Sequence, residues 1–205
     1  ATSCEHRQLG VKGEQEFAGR GVSYCAVCDG AFFRNRKLLV VGGGDSAVEE
    51  ALFLTQFASE VVIVHRRDEL RAQKIIQDRA FANPKISFLW DSVVTEIKGN
   101  KMSMTGAVIE NVRTKEIHEE EAGGIFIYVG LDPLTEAFKD TGITNEDGWI
   151  ITDTQMRTSV PGVYAVGDVR EKELRQVTTA VGDGSIAGQQ VFQFIEEQKD
   201  PKTTV

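Results

Sequence analysis

The stretch KLLVVGGGDSAVEEALFLTQFASEVVIVHRRDELRAQK, residues 37–74, decides how the chain folds. Residues 38–41 form a short apolar run bounded by glycines, which predicts a strand. Residues 46–57 then place Val48, Ala51, Leu52 and Thr55 at three-to-four spacing, as one face of a helix would. A second branched run, 61–64, reads as a buried parallel strand, so the unit is strand, helix, strand. At its first turn, Gly42-Gly43-Gly44-Asp45-Ser46-Ala47 fits G-x-G-x-x-A in the context that gives this pattern meaning: directly after a strand and opening a helix. Gly42 permits the tight turn, Gly44 lets the backbone approach a pyrophosphate, and Ala47 allows close packing of helix on strand. The helix N-terminus supplies free N–H groups and partial positive charge.

The end of the second strand selects the dinucleotide. An NAD site carries Asp or Glu about 20 residues on, to bind ribose hydroxyls, whereas this strand ends in His65-Arg66-Arg67 with Arg71 one turn later. Guanidinium forks suit a ribose 2'-phosphate, which an acid would repel, so NADPH is expected. The competing reading makes these arginines a solvated face paired with Asp68 and Glu69.

The bulk properties are those of a globular protein. The 205 residues are 41% apolar and 26% charged, enough for one large or two smaller domains. A formal charge of -8 disfavours a nucleic-acid partner. No apolar run nears the about 18 residues of a membrane span, and the opening ATSCEHRQLG has no signal-peptide pattern, so a cytoplasmic location is expected.

Further along, residues 71–84 predict a helix stopped near Pro84. The segments 85–100, 102–114 and 119–130 predict short strands in a small mixed sheet packed on the first. After Gly123 come a short helix, a strand at 149–151, a strand running into Gly167 and Asp168, and a helix over 177–198. Ala180, Gly182, Gly184 and Ala187 in that helix predict a close neighbour, since an interior glycine costs about 1 kcal/mol of helix propensity.

Three cysteines cannot form a disulfide framework, and SYCAVCDG, residues 23–30, places two of them at C-x-x-C spacing. Zinc would need further soft ligands, and Cys4, His6 and His65 show no ligand spacing, so no metal is expected. Two inert core cysteines are the other plain reading. Against it, Ser23, Asp29 and Gly30 are turn and helix-start residues, where a thiolate is stabilised and reachable. Asp29 is suited to protonating a leaving thiolate. Joining hydride chemistry to thiol exchange calls for a flavin, yet no second G-x-G-x-x-G stands near the start.

The segments YCAVCDG, VVGGGDSAVEEA, HRRDELRA, EHRQLGVKGEQEFAGRGVSYC and TSVPGVYAVGDVREKELRQVTTAVGDGSIAG together resemble the low-molecular-weight, bacterial-type thioredoxin reductases, over essentially all 205 residues. The resemblance implies an α/β fold: a Rossmann-like three-layer NADPH-binding domain with a small antiparallel sheet, plus the C-terminal part of an FAD-binding Rossmann-like domain. It places the end of the FAD domain and a linker at 1–9, the NADPH domain with its dithiol at 10–123, and the returning FAD domain at 124–205. It also implies that the chain matches only the latter two thirds of the family's length, as a fragment would.

By the same resemblance, Cys28 lies against the flavin and Cys25 attacks the disulfide of thioredoxin, with Asp29 as acid and base. Gly42, Gly43, Gly44, Asp45, Ser46 and Ala47 match the NADPH turn, and His65, Arg66, Arg67 and Arg71 match the 2'-phosphate site. Gly167 and Asp168 match the segment that meets FAD, and Arg175, Gln176 and Val177 the one that approaches its ring. A homodimer is implied, with domain rotation hinged near Gly10 and Gly123. Two departures stand out: Ser3-Cys4 where the family has Gly-Ala, with Cys4 expected to be a small packed residue, and Leu134 where Asn is commoner. The alternatives are a dithiol flavoprotein reductase of a peroxidase system, or a non-catalytic NADPH-binding module.

Overall fold

The computed structural model describes residues 1–199. In chain order the elements are β1 (Cys4–His6), β2 (Val22–Ser23), α1 (Ala26–Asp29), β3 (Lys37–Val41), α2 (Asp45–Leu54), β4 (Glu60–Val64), α3 (Lys74–Phe81), β5 (Ile86–Leu89), β6 (Ser92–Gly99), β7 (Met104–Asn111), β8 (Ile117–Glu121), β9 (Gly124–Ile127), β10 (Leu131–Pro133) and α4 (Val177–Lys199). They divide into two compact units, His6–Gly130 and a second made of Ala1–Glu5 with the described residues from Leu131 onward. The last residues of the expected 124–205 segment, 200–205, lie outside the described residues. Gly10 and Gly123, the expected hinges, both fall inside the His6–Gly130 unit.

The His6–Gly130 unit has three layers. A five-stranded parallel sheet in the order β2-β9-β3-β4-β5 lies at its centre. Because side chains alternate along a strand, Leu38, Val40, Val61 and Ile63 face the helices, where Val48, Ala51 and Leu54 of α2 and Ile76 and Ala80 of α3 complete one core. Leu39, Val41, Val62 and Val64 point the other way, into a second core with Ile97, Met104 and Ile109 of the antiparallel sheet β6-β7-β8. Each such fully buried aliphatic contributes roughly 1.5–3 kcal/mol.

Two expectations are corrected. The strands after residue 85 do not make one mixed sheet: β5 and β9 join the parallel sheet, and only β6, β7 and β8 form the antiparallel one. The reason is visible in β9, buried at every position, as a parallel strand covered on both faces must be, whereas β6 and β7 are only partly buried. The helix expected over 46–57 spans Asp45–Leu54. It stops early because the Phe57 carbonyl accepts the Asn35 N–H at 2.9 Å and the Ser59 N–H donates to Arg36 at 3.0 Å, turning the chain into β4.

Glu14 is 1% exposed, and its carboxylate accepts hydrogen bonds from the N–H groups of Leu9 (2.9 Å) and Gly10 (2.7 Å) and the Tyr24 hydroxyl (2.8 Å). It thereby fixes the 9–14 loop against the residue preceding Cys25.

In the second unit β1 pairs with β10, and Ile143, Ile150, Ala165 and Val169 form a small core. The strands expected at 149–151 and leading to Gly167 are isolated bridges instead, Thr144 with Ile150, Ile150 with Arg170 and Arg157 with Tyr164. Gly148 at φ +88° and the Asn145 side chain, which accepts from the N–H groups of Asp147 and Trp149, bend the backbone just where a ladder would begin. Gly167–Val169 is one turn of 3-10 helix. The terminal helix is as expected, Val177–Lys199. Among the described residues no helix is long and apolar enough to cross a membrane.

Candidate functional site

The dithiol is built at the end of β2. Cys25 and Cys28 are joined in a disulfide, with their Cα atoms 5.3 Å apart. Cys25 caps α1: its Sγ accepts the Cys28 N–H at 3.1 Å. Cys28 is exposed and Cys25 half-buried. Asp29, at the end of the same turn, accepts a 2.6 Å hydrogen bond from Ser23 Oγ, and the Cys25 N–H donates back to that hydroxyl at 3.1 Å. Ser23 thus orients both the carboxylate and the first sulfur. The Ala26 N–H donates to the Tyr128 hydroxyl at 2.8 Å.

In the same unit, the loops at the carboxyl ends of β3, β4 and β9 enclose a cleft of about 440 Å³, lined among others by Gly42, Gly43, His65, Arg66, Arg71 and Tyr128. This is where ligands sit on parallel sheets. Gly42 has φ +148°, and a Cβ there would come within 2.5 Å of the Tyr128 carbonyl and 2.7 Å of the Ala47 Cβ. A Cβ on Gly43 would strike the His65 ring at 2.3 Å, so the middle glycine makes room for the imidazole. Gly44, the N-cap of α2, faces open space. Asp45 ties this turn to the 65–73 loop, accepting from the Gln73 N–H at 2.6 Å and its amide at 3.2 Å. Ser46 is exposed on the first turn of α2.

His65 is buried and its Nε2 has no hydrogen-bond partner among the described residues. Burial first, then the charge of Arg71, pushes its imidazole below the ordinary range, so it is neutral near pH 7. Arg66, Arg67 and Arg71 are exposed, and among the described residues none carries an ion pair. Asp68 is taken by Arg113 at 2.6 Å, which also holds Asp91 at 2.9 Å. Arg66 and Arg71 line the cleft; Arg67 does not.

Gly167, Asp168, Arg175, Gln176 and Val177 lie in the other unit. Gly167 takes φ +77°, and its N–H donates to Asp183 at 3.0 Å. Asp168 Oδ1 is buried without a hydrogen-bond partner among the described residues. Arg175 donates to the Asp168 carbonyl at 3.2 Å and stacks over Trp149, 3.9 Å from the ring centroid. The Gln176 N–H bonds Thr179 Oγ1, and Val177 is 80% exposed at the start of α4. The close neighbour expected beside the small residues of α4 is absent among the described residues: a Cβ on Gly182 or Gly184 would meet nothing within 4 Å. Cys4 is half-buried rather than packed away, and burial raises its thiol pKa.

Asp183, which the sequence did not mark, organises this region. Burial alone would raise its carboxyl, but hydrogen bonds from Arg170 (2.8 Å), Lys172 (3.1 Å) and the Gly167 N–H outweigh that and hold it below the usual carboxylate range. Its folded pKa therefore lies under the unfolded value near 3.9, so its stabilisation is complete above about pH 4 and is lost as pH falls through the folded value. Asp183→Asn is expected to destabilise by about 3 kcal/mol at neutral pH, leaving Arg170 and Lys172 buried together. Unfolding curves from pH 7 to 2 should converge with wild type below about pH 4; curves that stay parallel would contradict this role.

The matches to known proteins agree with this arrangement. The family described as pyridine nucleotide-disulphide oxidoreductase matches residues 1–184. A thioredoxin reductase of Listeria monocytogenes is 57% identical over 200 residues, covering 98% of this chain and 63% of the relative. One of Bacillus subtilis is 53% identical over 205 residues, covering 100% and 65%. The crystal structure of thioredoxin reductase from Streptococcus pyogenes superposes with a TM-score of 0.91 at 63% identity, over 95% of this chain and 64% of that one. The chain thus spans 63–65% of the length of these curated relatives. With a G-x-G-x-x-A turn and a bonded C-x-x-C in one unit, and with the family match running from residue 1 to 184, the chain belongs to the pyridine nucleotide-disulphide oxidoreductases, as a homologue of the low-molecular-weight thioredoxin reductases.

Proposed function

We propose that the protein is an NADPH-dependent flavoprotein that reduces the disulfide of thioredoxin through the Cys25–Cys28 pair. The observation that carries this reading is the bonded pair, with Cys28 exposed, in the same unit as a cleft walled by Arg66 and Arg71, neither of them ion-paired among the described residues. Arg66 and Arg71 hold the 2'-phosphate, the N-terminus of α2 at Gly44 holds the pyrophosphate, and the orphaned His65 Nε2 offers one more polar contact.

The second unit fits a flavin. Asp168 Oδ1, ion-paired with Lys172 at 3.7 Å but without a hydrogen bond among the described residues, could accept one from a hydroxyl, and Gly182 and Gly184 leave α4 open to a close neighbour. Gly167, Asp168, Arg175, Gln176 and Val177 would hold FAD, which when bound supplies the link between two-electron hydride chemistry and sulfur.

Thiol exchange belongs to the chain's own residues. The Cys28 N–H at 3.1 Å stabilises a thiolate on Cys25, favouring Cys25 as the nucleophile toward thioredoxin. Attack breaks the thioredoxin disulfide and forms a mixed one. Cys28 then attacks Cys25, restoring the internal disulfide and releasing the thioredoxin dithiol. Asp29, held by Ser23, passes a proton to the departing sulfur.

A cytoplasmic homodimer completes the reading. Exposed apolar side chains on α4, Val181 at 64% and Phe192 at 65%, support a surface that assembly covers. The test is NADPH oxidation by the flavin-loaded protein with thioredoxin as acceptor. Stoichiometric thiol production is the expected result, and NADPH binding with no thiol produced would refute it.

A further inference from the structure

Tyr128 touches both halves of the proposed chemistry. Its backbone N–H donates to Val41 at 2.8 Å, at the end of β3, and its carbonyl underlies Gly42. Tyr128 is among the residues lining the nucleotide cleft, its ring packs against the helix-side core, and its hydroxyl accepts the N–H of Ala26, the residue bonded to Cys25. Ala26 is 0% exposed, so this N–H has no water to turn to if the hydroxyl is lost. Burial, then the Glu50 charge, raises the phenol far above neutral pH, so it stays protonated and uncharged throughout the working range.

We propose that Tyr128 is a positioning residue that couples the nucleotide cleft to the dithiol: its hydroxyl holds the Cys25–Ala26 peptide in the place the disulfide requires, and a nucleotide seated in the cleft steadies the same residue through its backbone beside Gly42. The proposal rests on the reading of the cleft as an NADPH site. The 2.8 Å bond is present with the pair oxidised. Losing it loosens the turn and lowers the effective concentration of one sulfur for the other, favouring the dithiol. Linkage makes the coupling reciprocal. The oxidised protein should therefore bind nucleotide more tightly than the dithiol form, and nucleotide should favour the disulfide.

Two measurements test this. In dithiothreitol redox buffers, the Cys25–Cys28 bond takes two electrons and two protons from dithiothreitol, which closes its own ring disulfide. The reduced fraction is read from alkylated peptides, independently of any flavin and of Cys4. Tyr128→Phe, which keeps the ring and both backbone contacts, is expected to shift this equilibrium about tenfold toward dithiol, a change of about 30 mV. A shift under about twofold overturns the positioning role. In the second measurement NADP⁺, which cannot reduce the protein, is titrated into oxidised and dithiol wild-type protein and into both forms of Tyr128→Phe. The expected result is at least about threefold tighter binding to oxidised wild type, with the difference lost in the variant. Equal binding to both wild-type forms overturns the coupling alone; no binding to either overturns the coupling together with the NADPH reading.

Discussion

Cys28→Ser is expected to lower turnover of the thioredoxin disulfide by about a thousandfold or more, since removing one member of a covalent relay leaves no second route. Stopped-flow bleaching of flavin by NADPH should keep its wild-type rate, because the nucleotide cleft has no contribution from Cys28. A more discriminating readout comes from the species that accumulates. With no sulfur at position 28 to resolve it, the mixed disulfide between Cys25 and thioredoxin should persist and appear as the summed mass of the two proteins. Cys25→Ser should lose turnover equally but trap no such species through Cys28, whose sulfur is not stabilised by the N–H that reaches Cys25. Equal trapping by both variants would remove the distinction between nucleophile and resolving sulfur. Concurrent loss of flavin bleaching in Cys28→Ser would remove the assignment of that residue to the relay alone.

The parts of the candidate site that could be proposed from the sequence are those whose chemistry is written in consecutive residues. Gly42 to Ala47, the C-x-x-C pair with Asp29, and the arginines after β4 each form a local pattern, and local patterns survive without knowledge of the fold. What the sequence concealed depends on residues far apart in the chain. Tyr128 lies 102 positions from Ala26, whose N–H it receives. Only its place at the end of an apolar run, where ligands gather on a parallel sheet, could have marked it. Asp183 sits among small residues on α4 and gains its role from Arg170, Lys172 and Gly167, which the one turn of 3-10 helix brings to it. Glu14 reads as one more surface acid until Leu9, Gly10 and Tyr24 close around it.

The same division holds for the fold. The strand, helix, strand unit was legible because its periodicities are strong. The partners of β5 and β9 were not, because a short apolar run carries no record of which sheet it joins. Burial on both faces is a tertiary fact, supplied by α2 and α3 on one side and β6 and β7 on the other.

Neutralising Arg66 and Arg71 together is the change with the largest expected effect on cofactor choice. Both line the cleft, and among the described residues neither has an acidic partner to screen it or hold it elsewhere. A hydrogen bond to a charged group is worth roughly 1.5–3 kcal/mol, and exposure keeps both arginines at the low end. Two such bonds give roughly 3 kcal/mol, so Arg66→Ala with Arg71→Ala should reduce the preference for NADPH over NADH by about a hundredfold, measured as the ratio of kcat/KM values. The preference of the wild type should itself weaken as salt is raised, since exposed charges are screened over about 10 Å at 0.1 M. His65 is neutral and adds no charge to this discrimination. Arg67 distinguishes the structure from the sequence pattern: the run His65-Arg66-Arg67 treats the two arginines alike, while of the two only Arg66 is among the residues lining the cleft. Arg67→Ala should therefore change the ratio by less than about threefold, the scale expected of an exposed charge acting at a distance. A loss at Arg67 equal to that of the double variant would place the 2'-phosphate outside the cleft, and an unchanged ratio in the double variant would remove these arginines from cofactor selection.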